Sequence, residues 1–248
     1  MGSTAGMLLW AWILLDLGVC SVSLPEITDR SFIDECVREH NRARSAVTPP
    51  ASNMLTMTWD EDLARTARAW AERCVFKHSP DVSRVHPLLS SVGENIWAGY
   101  PPSDFAVTSA MKDWVNEKQH YGYESNSCNK VCGHYTQVVW ANSHKVGCAA
   151  QLCLSGVTNT KFATKEGVIF VCNYAPMGNV NRRRPYDSLG AACSGCEGTC
   201  VDNLCNSNYV AGGTNYVAIL IVRPLGVIFT FITAYAVRHF YPDVFCYE

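Results

Sequence analysis

The sequence has little charge for its length, and what it has is balanced. Charged residues make up 17% of the 248, below the usual quarter, and 20 basic against 22 acidic side chains leave a formal net charge of -2. Nucleic-acid-binding domains carry a basic patch or stripe, whereas the densest basic cluster here is the short run Arg182–Arg184. We therefore expect no nucleic-acid partner, and we interpret that run as a solvated loop rather than a site for an anionic partner.

Several familiar patterns are also missing. The sequence has no Asn-x-Ser/Thr glycosylation acceptor and no internal repeat. It has no Gly-x-Ser-x-Gly motif either, which excludes a serine hydrolase built on that nucleophile turn. These absences leave the cysteines and histidines as the main chemical signal.

Cysteine is abundant, with 13 residues. The apolar run Met7–Val19 is too short to span a bilayer, and Ser21 and Ser23 suit positions -3 and -1 of a signal-peptidase site. No basic residue precedes that run, which departs from the usual signal. We predict a signal peptide at 1–23 and a chain that matures where cysteines form disulfides rather than metal clusters.

A second apolar stretch, 216–237, is long enough to cross about 30 Å of hydrocarbon. Arg223 interrupts it near one end, where a long cationic side chain can snorkel. Arg238 and His239 follow at once, as expected of a cytoplasmic flank. The sequence thus predicts a single-pass type I membrane protein with a transmembrane helix at 216–237 and a cytoplasmic tail at 238–248, in which Cys246 is a candidate for acylation. Release of the ectodomain as a secreted form stays open.

Residues 24–186 are predicted to form one domain. Helical periodicity indicates helices at about 31–45, from Thr58 onward behind a capping box Thr58–Glu61, and at about 104–121. Two β-rich runs, Lys145–Cys153 and Gly167–Tyr174, are predicted to be strands. Helices first and strands later indicate an α+β layered fold.

Glu117 lies on the apolar stripe of the third predicted helix, between Trp114 and Tyr121. A carboxylate buried without a partner is costly, so we expect Glu117 to have one. Cys36 lies in the apolar stripe of the first helix.

The region 187–205 contains Cys193, Cys196, Cys200 and Cys205 and too little apolar material for its own core. A zinc site would need about the same ligands, but in a secreted chain two crossed disulfides are favoured. A polar linker, 206–215, follows.

Five motifs occur in a specific order. They are Cys74-x3-His78, Gly93-Glu94-Asn95, Trp114-x2-Glu117, Gly133-His134-Tyr135-Thr136-Gln137-Val138-Val139-Trp140, and Phe170-Val171-Cys172-Asn173-Tyr174-x-Pro176-x-Gly178-Asn179. Together they resemble the signature of the CAP superfamily (cysteine-rich secretory, antigen 5 and pathogenesis-related proteins) over roughly 32–186. The four-cysteine region resembles the hinge of that family, and the apolar C-terminal segment narrows the resemblance to a membrane-anchored, pathogenesis-related branch.

The resemblance implies an α-β-α sandwich with a central cleft lined by His78, Glu94, Glu117 and His134. Two neutral imidazoles can hold Zn²⁺, and carboxylates can orient a bound water, but two histidines are one ligand short of a usual catalytic zinc site. Such a site should be weak and pH-dependent. Each residue has a simpler alternative: His78 as a helix-end histidine, His134 as a partner of a buried carboxylate, and Glu94 as an acceptor for loop amides.

The resemblance also implies the disulfides. The pairs are Cys74–Cys153, Cys148–Cys172, Cys128–Cys132, Cys193–Cys200 and Cys196–Cys205, with Cys36 left over as a buried free thiol. The Cys148–Cys172 link would join the two predicted strands.

Three functions compete. A non-enzymatic module could bind a divalent metal, a lipid, sterol, fatty acid or a cell-surface or extracellular protein in its cleft. Alternatively, a weak zinc-dependent hydrolase or peptidase could use Glu94 or Glu117 as general base. A channel modulator is disfavoured, because the cysteine-rich domain that follows the hinge in such relatives is replaced here by the linker and membrane segment. We favour binding over enzymatic activity.

Overall fold

The structure is a computed structural model that describes residues 23–82, 91–180, 183–206 and 223–240, with the side chains of the last segment from residue 228. The predicted signal peptide, linker and cytoplasmic tail therefore lie almost wholly outside the described residues, as do Cys246 and the first part of 216–237. Among the described helices, none is both long and apolar enough to cross a membrane.

The described residues form five α-helices and eight strands. In chain order they are α1 (Arg30–Ser45), β1 (Thr58–Trp59), α2 (Glu61–Ala71), β2 (Gly93–Gly99), α3 (Val107–Asn116), β3 (Tyr121–Gly122), β4 (Ser127–Cys128), α4 (Gly133–Val138), β5 (Lys145–Cys153), β6 (Gly167–Ala175), β7 (Thr199–Val201), β8 (Leu204–Asn206) and α5 (Arg223–Phe240). Short 3₁₀ helices cover Pro102–Asp104 and Glu117–His120.

A four-stranded sheet in the order β1-β5-β6-β2 forms the middle layer. Because side chains alternate along a strand, β6 contributes side chains to two hydrophobic cores, one on each face of the sheet. Phe170, Cys172 and Tyr174 join the core under α1, α3 and α4, while Ile169 and Val171 join the core under α2. The predicted α+β sandwich is confirmed, and β2, an edge strand, runs along one side of it.

Two predicted strands, β5 and β6, agree with the structure to within one residue. The predicted start of α2 is wrong: Thr58 and Trp59 pair with β5 as strand β1, and the Asp60 side chain instead caps α2 by accepting from the Leu63 amide at 3.0 Å. The third helix is shorter than predicted, because α3 tightens into a 3₁₀ helix at Glu117. Sequence patterns did not predict β2 or α4.

Five disulfides brace the part of the chain that the structure describes, and the pairs are those that the resemblance implies. Cys36 is buried and free, and burial raises the pKa of its thiol well above the ordinary value.

The cysteine-rich hinge packs against the sandwich. Cys205 exchanges backbone hydrogen bonds with Met54 and Thr56, at 2.7 and 3.0 Å, and Gly195 donates to Ser52 at 2.8 Å. Leu204, 4% exposed, is part of the core under α1. The hinge therefore needs no core of its own, because it uses that of the larger domain.

Candidate functional site

His78 and Glu94 form the first pair of the predicted site. The Glu94 side chain is 1% exposed, and its Oε1 accepts from His78 Nδ1 and from the Ser79 amide, both at 2.9 Å. His78 is mostly exposed at 66%. The hydrogen bond to Glu94 raises the pKa of His78, against an opposing effect of partial burial. A buried carboxylate thus fixes the orientation of an exposed imidazole.

The segment that carries His78 is held to the sheet by covalent and backbone bonds. Just after α2, Cys74 is bonded to Cys153 at the end of β5, and Thr158 donates to the Cys74 carbonyl at 2.9 Å. Phe76 also donates to the Thr158 carbonyl at 3.0 Å. This bracing places His78 beside β2, which contains Glu94.

Glu117 and His134 form the second pair. Glu117 Oε1 accepts from His134 Nδ1 at 2.7 Å, while Oε2 accepts from the amides of His134 and Tyr135 at 2.9 and 3.2 Å. Burial raises the pKa of the Glu117 carboxyl, but the hydrogen bonds from His134 and Tyr135 outweigh it, so the pKa is lower than usual. The expected partner of Glu117 is therefore His134 with the start of α4.

Trp114 packs against the face of the His134 ring. The two rings are stacked, with an interplanar angle of 10° and centroids 6.1 Å apart, and Trp114 stacks in turn on Phe170 of β6. The imidazole is thus held at its edge by Glu117 and on its face by Trp114.

Consecutive residues of β2 connect the two pairs. Glu94 reaches His78 on the face of the sheet that α2 covers, and Asn95, pointing to the opposite face, donates to the His134 carbonyl at 3.1 Å. Asn95 also donates to the Tyr174 hydroxyl at 3.2 Å, and Tyr174 lies 2.9 Å from His40 Nε2. Through Glu94 and Asn95, the edge strand β2 therefore contacts both histidine–glutamate pairs.

Both imidazoles can still act as ligands. When neutral, each carries its proton on Nδ1, donated to a glutamate, which leaves the Nε2 lone pair as the coordinating atom. The four side chains do not form a compact three-ligand cluster. Within the described ranges, such a cluster within 4.8 Å is found only at Cys193, Cys196 and Cys205, whose sulfurs are in disulfides.

Two of the simpler alternatives are visible, whereas His78 is not at a helix end, because α2 ends at Ala71. His134 does bind a partly buried carboxylate, and Glu94 does accept a loop amide, that of Ser79. These contacts occupy Nδ1 of each histidine and Oε1 of Glu94. They leave both Nε2 positions for a ligand.

Comparison with known sequences identifies the family. Residues 37–174 match the Cysteine-rich secretory protein family, CAP. The chain belongs to the CAP family. Glioma pathogenesis-related protein 1 of Mus musculus is 48% identical over 186 residues, covering 74% of this chain and 68% of that protein. GLIPR1-like protein 1 of Homo sapiens is 44% identical over 208 residues, covering 79% and 81%.

Solved CAP structures agree with the fold. The crystal structure of NaASP2 with Zn²⁺ is 28% identical, with a TM-score of 0.56, over 71% of this chain and 96% of that one. That of Na-ASP-1 is 27% identical, with a TM-score of 0.58, over 75% and 51%. The predicted resemblance to the CAP family is therefore confirmed.

Sequence reasoning missed the supports of this CAP site. Asn95 and Tyr174 were recognised as motif letters but not as a bridge to His134. Arg44 was overlooked, although it continues the four-residue spacing of Phe32, Cys36 and His40 on the buried face of α1. That spacing was the available signal.

Proposed function

We propose that this chain is an extracellular CAP-domain binding module whose two histidine–glutamate pairs together hold one divalent metal ion. The observation that carries the proposal is that the two pairs match. In each, the imidazole Nδ1–H donates to a carboxylate, and Nε2 stays available as a ligand. A carboxylate behind a histidine is the usual support of a metal ligand. The NaASP2 structure with Zn²⁺ supports zinc as the ion to test first.

Binding explains the geometry better than hydrolysis does. A zinc-bound water needs a carboxylate base within hydrogen-bond reach. Both oxygens of Glu117 already accept from His134 and Tyr135, and Glu94 Oε1 accepts from His78 and Ser79. Glu94 Oε2 has no donor, but it belongs to a side chain that is only 1% exposed. The carboxylates therefore serve to orient the imidazoles, and a peptidase or esterase activity is the alternative that the experiment must exclude.

The test is a zinc titration of the full chain, produced with its disulfides, by calorimetry. We expect His78→Ala and His134→Ala each to weaken zinc binding at least tenfold, because each removes one of two nitrogen ligands. His120→Ala, a histidine outside the two pairs, is the matched control and should bind as the wild type. Zinc heats unchanged in both site variants would refute the proposal, and chelator-sensitive turnover of peptides or esters, lost in both, would favour the hydrolase.

A cavity favours a second ligand, a fatty acid. It is an open cleft of about 540 Å³ between α1 and α3, within the range of small-molecule pockets. Apolar side chains such as Val47, Met111 and Val115 line it beside the cations Lys112 and Lys118. Arg42 also lines it, but is paired with Glu39 at 3.2 Å. An alkyl chain with a carboxylate head suits that combination better than a sterol, which has no charge for the cations to meet.

Fluorescent fatty-acid binding tests this second proposal. Lys112→Glu should weaken binding of a fatty acid several-fold and leave binding of the matching fatty alcohol unchanged, because the change acts on the carboxylate. Lys161→Glu, an exposed lysine outside the cavity, is the control for net charge. Equal loss for acid and alcohol would contradict the assignment.

We also propose that the segment 216–237 anchors the module at a membrane. Support comes from its apolar composition and from α5, whose large apolar side chains Phe229, Phe231 and Ile232 are 60–73% exposed. A burial partner for such a surface is expected. A variant truncated after Asn215 should appear in the culture medium, while the full chain stays with membranes. Recovery of both proteins from the medium would refute the anchor.

A further inference from the structure

Two buried oxygens near the first pair have no hydrogen-bond donor. They are Glu94 Oε2 and Asn173 Oδ1. The Glu94 side chain and the Asn173 residue are each only 1% exposed, so bulk water does not supply the missing hydrogen bonds. Buried acceptors in folded proteins are normally satisfied, and an exception calls for an explanation such as a ligand.

The neighbouring hydrogen bonds settle which way the Asn173 amide points. Thr66 Oγ1 donates its only proton to the Leu63 carbonyl at 2.9 Å, so it must accept from Asn173, whose Nδ2 lies 2.9 Å away. The amide oxygen is therefore on the other side, as an acceptor. Glu94 and Asn173 are cross-strand partners in β2 and β6, which puts their side chains next to each other on the face covered by α2.

Both residues line a groove of about 440 Å³ between α2 and the segment 79–82. Its walls include the apolar surfaces of Ala69, Trp70 and Val82, and Asp81 adds an exposed carboxylate at the rim. Arg73 is a basic lining residue, but its guanidinium lies over the Trp70 ring, 5.7 Å from the centroid. The groove thus combines an apolar wall with adjacent acceptors at its base.

We propose that this groove binds a primary ammonium group on an aliphatic stem, as in a lysine side chain of an extracellular peptide. An ammonium has three protons and no acceptor, so it can donate to Glu94 Oε2 and Asn173 Oδ1 at once and keep one proton for solvent or Asp81. The methylene stem then packs against Ala69 and Trp70. A hard divalent cation suits the site less well, because it needs six or more oxygens.

This inference goes beyond the metal-binding proposal, since it uses neither imidazole Nε2 atom. Asn173 belongs to the groove alone, so its variants separate the two sites. Zinc titration of an Asn173 variant should match the wild type whether or not the groove binds an ammonium.

The test is a nuclear magnetic resonance titration of the full, disulfide-bonded chain, following the Trp70 indole and Asn173 side-chain amide signals. n-Butylammonium represents a lysine side chain, glycinamide a peptide N-terminus, and 1-butanol is the uncharged match. We expect saturable shifts with n-butylammonium, binding at least threefold weaker with glycinamide, and none with 1-butanol. Shifts from 1-butanol as large as those from n-butylammonium, or none from either, would overturn the proposal and leave the groove to ordered water.

Two variants sharpen the result. Asn173→Leu keeps the approximate volume but removes the acceptor, and should weaken n-butylammonium at least tenfold, whereas Asn142→Leu, at an exposed asparagine outside the groove, should not. Asp81→Asn, at an exposed residue that does not threaten folding, should weaken n-butylammonium a few-fold and serves if the Asn173 variant does not fold. Unchanged affinity in both Asn173→Leu and Asp81→Asn would refute the site.

Discussion

Arg44 is a fully buried cation whose hydrogen-bond partners are backbone carbonyls. Its guanidinium donates to the carbonyls of Leu55, Val138, Trp140 and Ala141, over distances of 2.6–3.0 Å. Burial lowers the pKa of Arg44 to about 9. Because Val138 ends α4, this one side chain fixes the end of the helix that begins beside His134.

We predict that Arg44→Lys lowers the free energy of unfolding by about 3 kcal/mol. Lysine has three donors on a single nitrogen, so it cannot reproduce the planar fork, and carbonyls are left buried without donors. Urea denaturation measures the loss. Arg42→Lys, on the exposed side of the same helix, is the matched control and should change stability by less than about 0.5 kcal/mol; similar losses in the two variants would contradict the role given to Arg44.

His40 makes stability depend on pH. Burial lowers the pKa of His40 to about 4, helped by nearby Arg44 and opposed by the hydrogen bond to the Cys36 carbonyl. His40 is therefore protonated below about pH 6.5 in the unfolded chain, but only below about pH 4 in the folded chain. The contribution of His40 to the free energy of unfolding is fully present above pH 6.5 and is lost as the pH is lowered from 6.5 to 4.

The predicted cost from His40 is about 2–3 kcal/mol of unfolding free energy at pH 4.5 relative to pH 7.5. His40→Gln removes the titration, so the pH-dependent loss should be smaller by that amount in the variant. Denaturation curves at both pH values, with disulfides intact, measure it. Parallel pH dependences in variant and wild type would show that His40 is not responsible.

For individual residues, the members of the motifs could be predicted from the sequence, but the hydrogen bonds between them could not. The strings around His78, Glu94, Glu117 and His134 are specific, so their importance could be inferred from the sequence. Which glutamate supports which histidine depends on the sandwich bringing distant segments together. His40 belongs to none of the five motifs, and its hydrogen bond to Tyr174 could be inferred only by knowing that α1 crosses β6.

Among the elements, α2 and the sheet pack closely at Gly147 of β5. A Cβ at Gly147 would overlap the backbone of Leu63 and Ala64 in α2. Glycine is needed there because two backbones approach each other with no room for a side chain.

We predict that Gly147→Ala lowers the unfolding free energy by about 3 kcal/mol, since α2 must move away from the sheet. Gly133→Ala is the control, because a Cβ at Gly133 meets only the Asn179 side chain, at 3.9 Å. Thermal or urea unfolding compares the two. Equal stability of both variants would show that α2 is not held against Gly147 as described.

Element prediction succeeded where hydrophobic pattern alone determines structure. Strands β5 and β6 are nearly continuous runs of apolar or small residues with clear ends. β2 was missed because Glu94 and Asn95 interrupt its apolar pattern, and those polar residues are there for the site. The start of α2 was misplaced because Thr58 and Asp60 are both good capping residues, and only the pairing of Thr58 with Lys145 decides between them.

For the whole molecule, the disulfides and the hinge act as one frame. Cys74–Cys153 braces the His78 segment, and the hinge hydrogen-bonds to residues 52–56. The family pattern implied the cysteine pairs, but hinge docking could not be predicted, because it depends mainly on backbone hydrogen bonds without a sequence signal. The edge strand β2 then joins the two histidine–glutamate pairs.

The central claim is that these two pairs act as one site. The most direct measurement is the zinc stoichiometry of the full chain, by competition with a chelator, for the wild type, His78→Ala and His134→Ala. One shared site predicts one zinc per chain in the wild type and loss of that zinc in either variant. Two zincs in the wild type, with one retained in each variant, would show two independent sites and contradict the account.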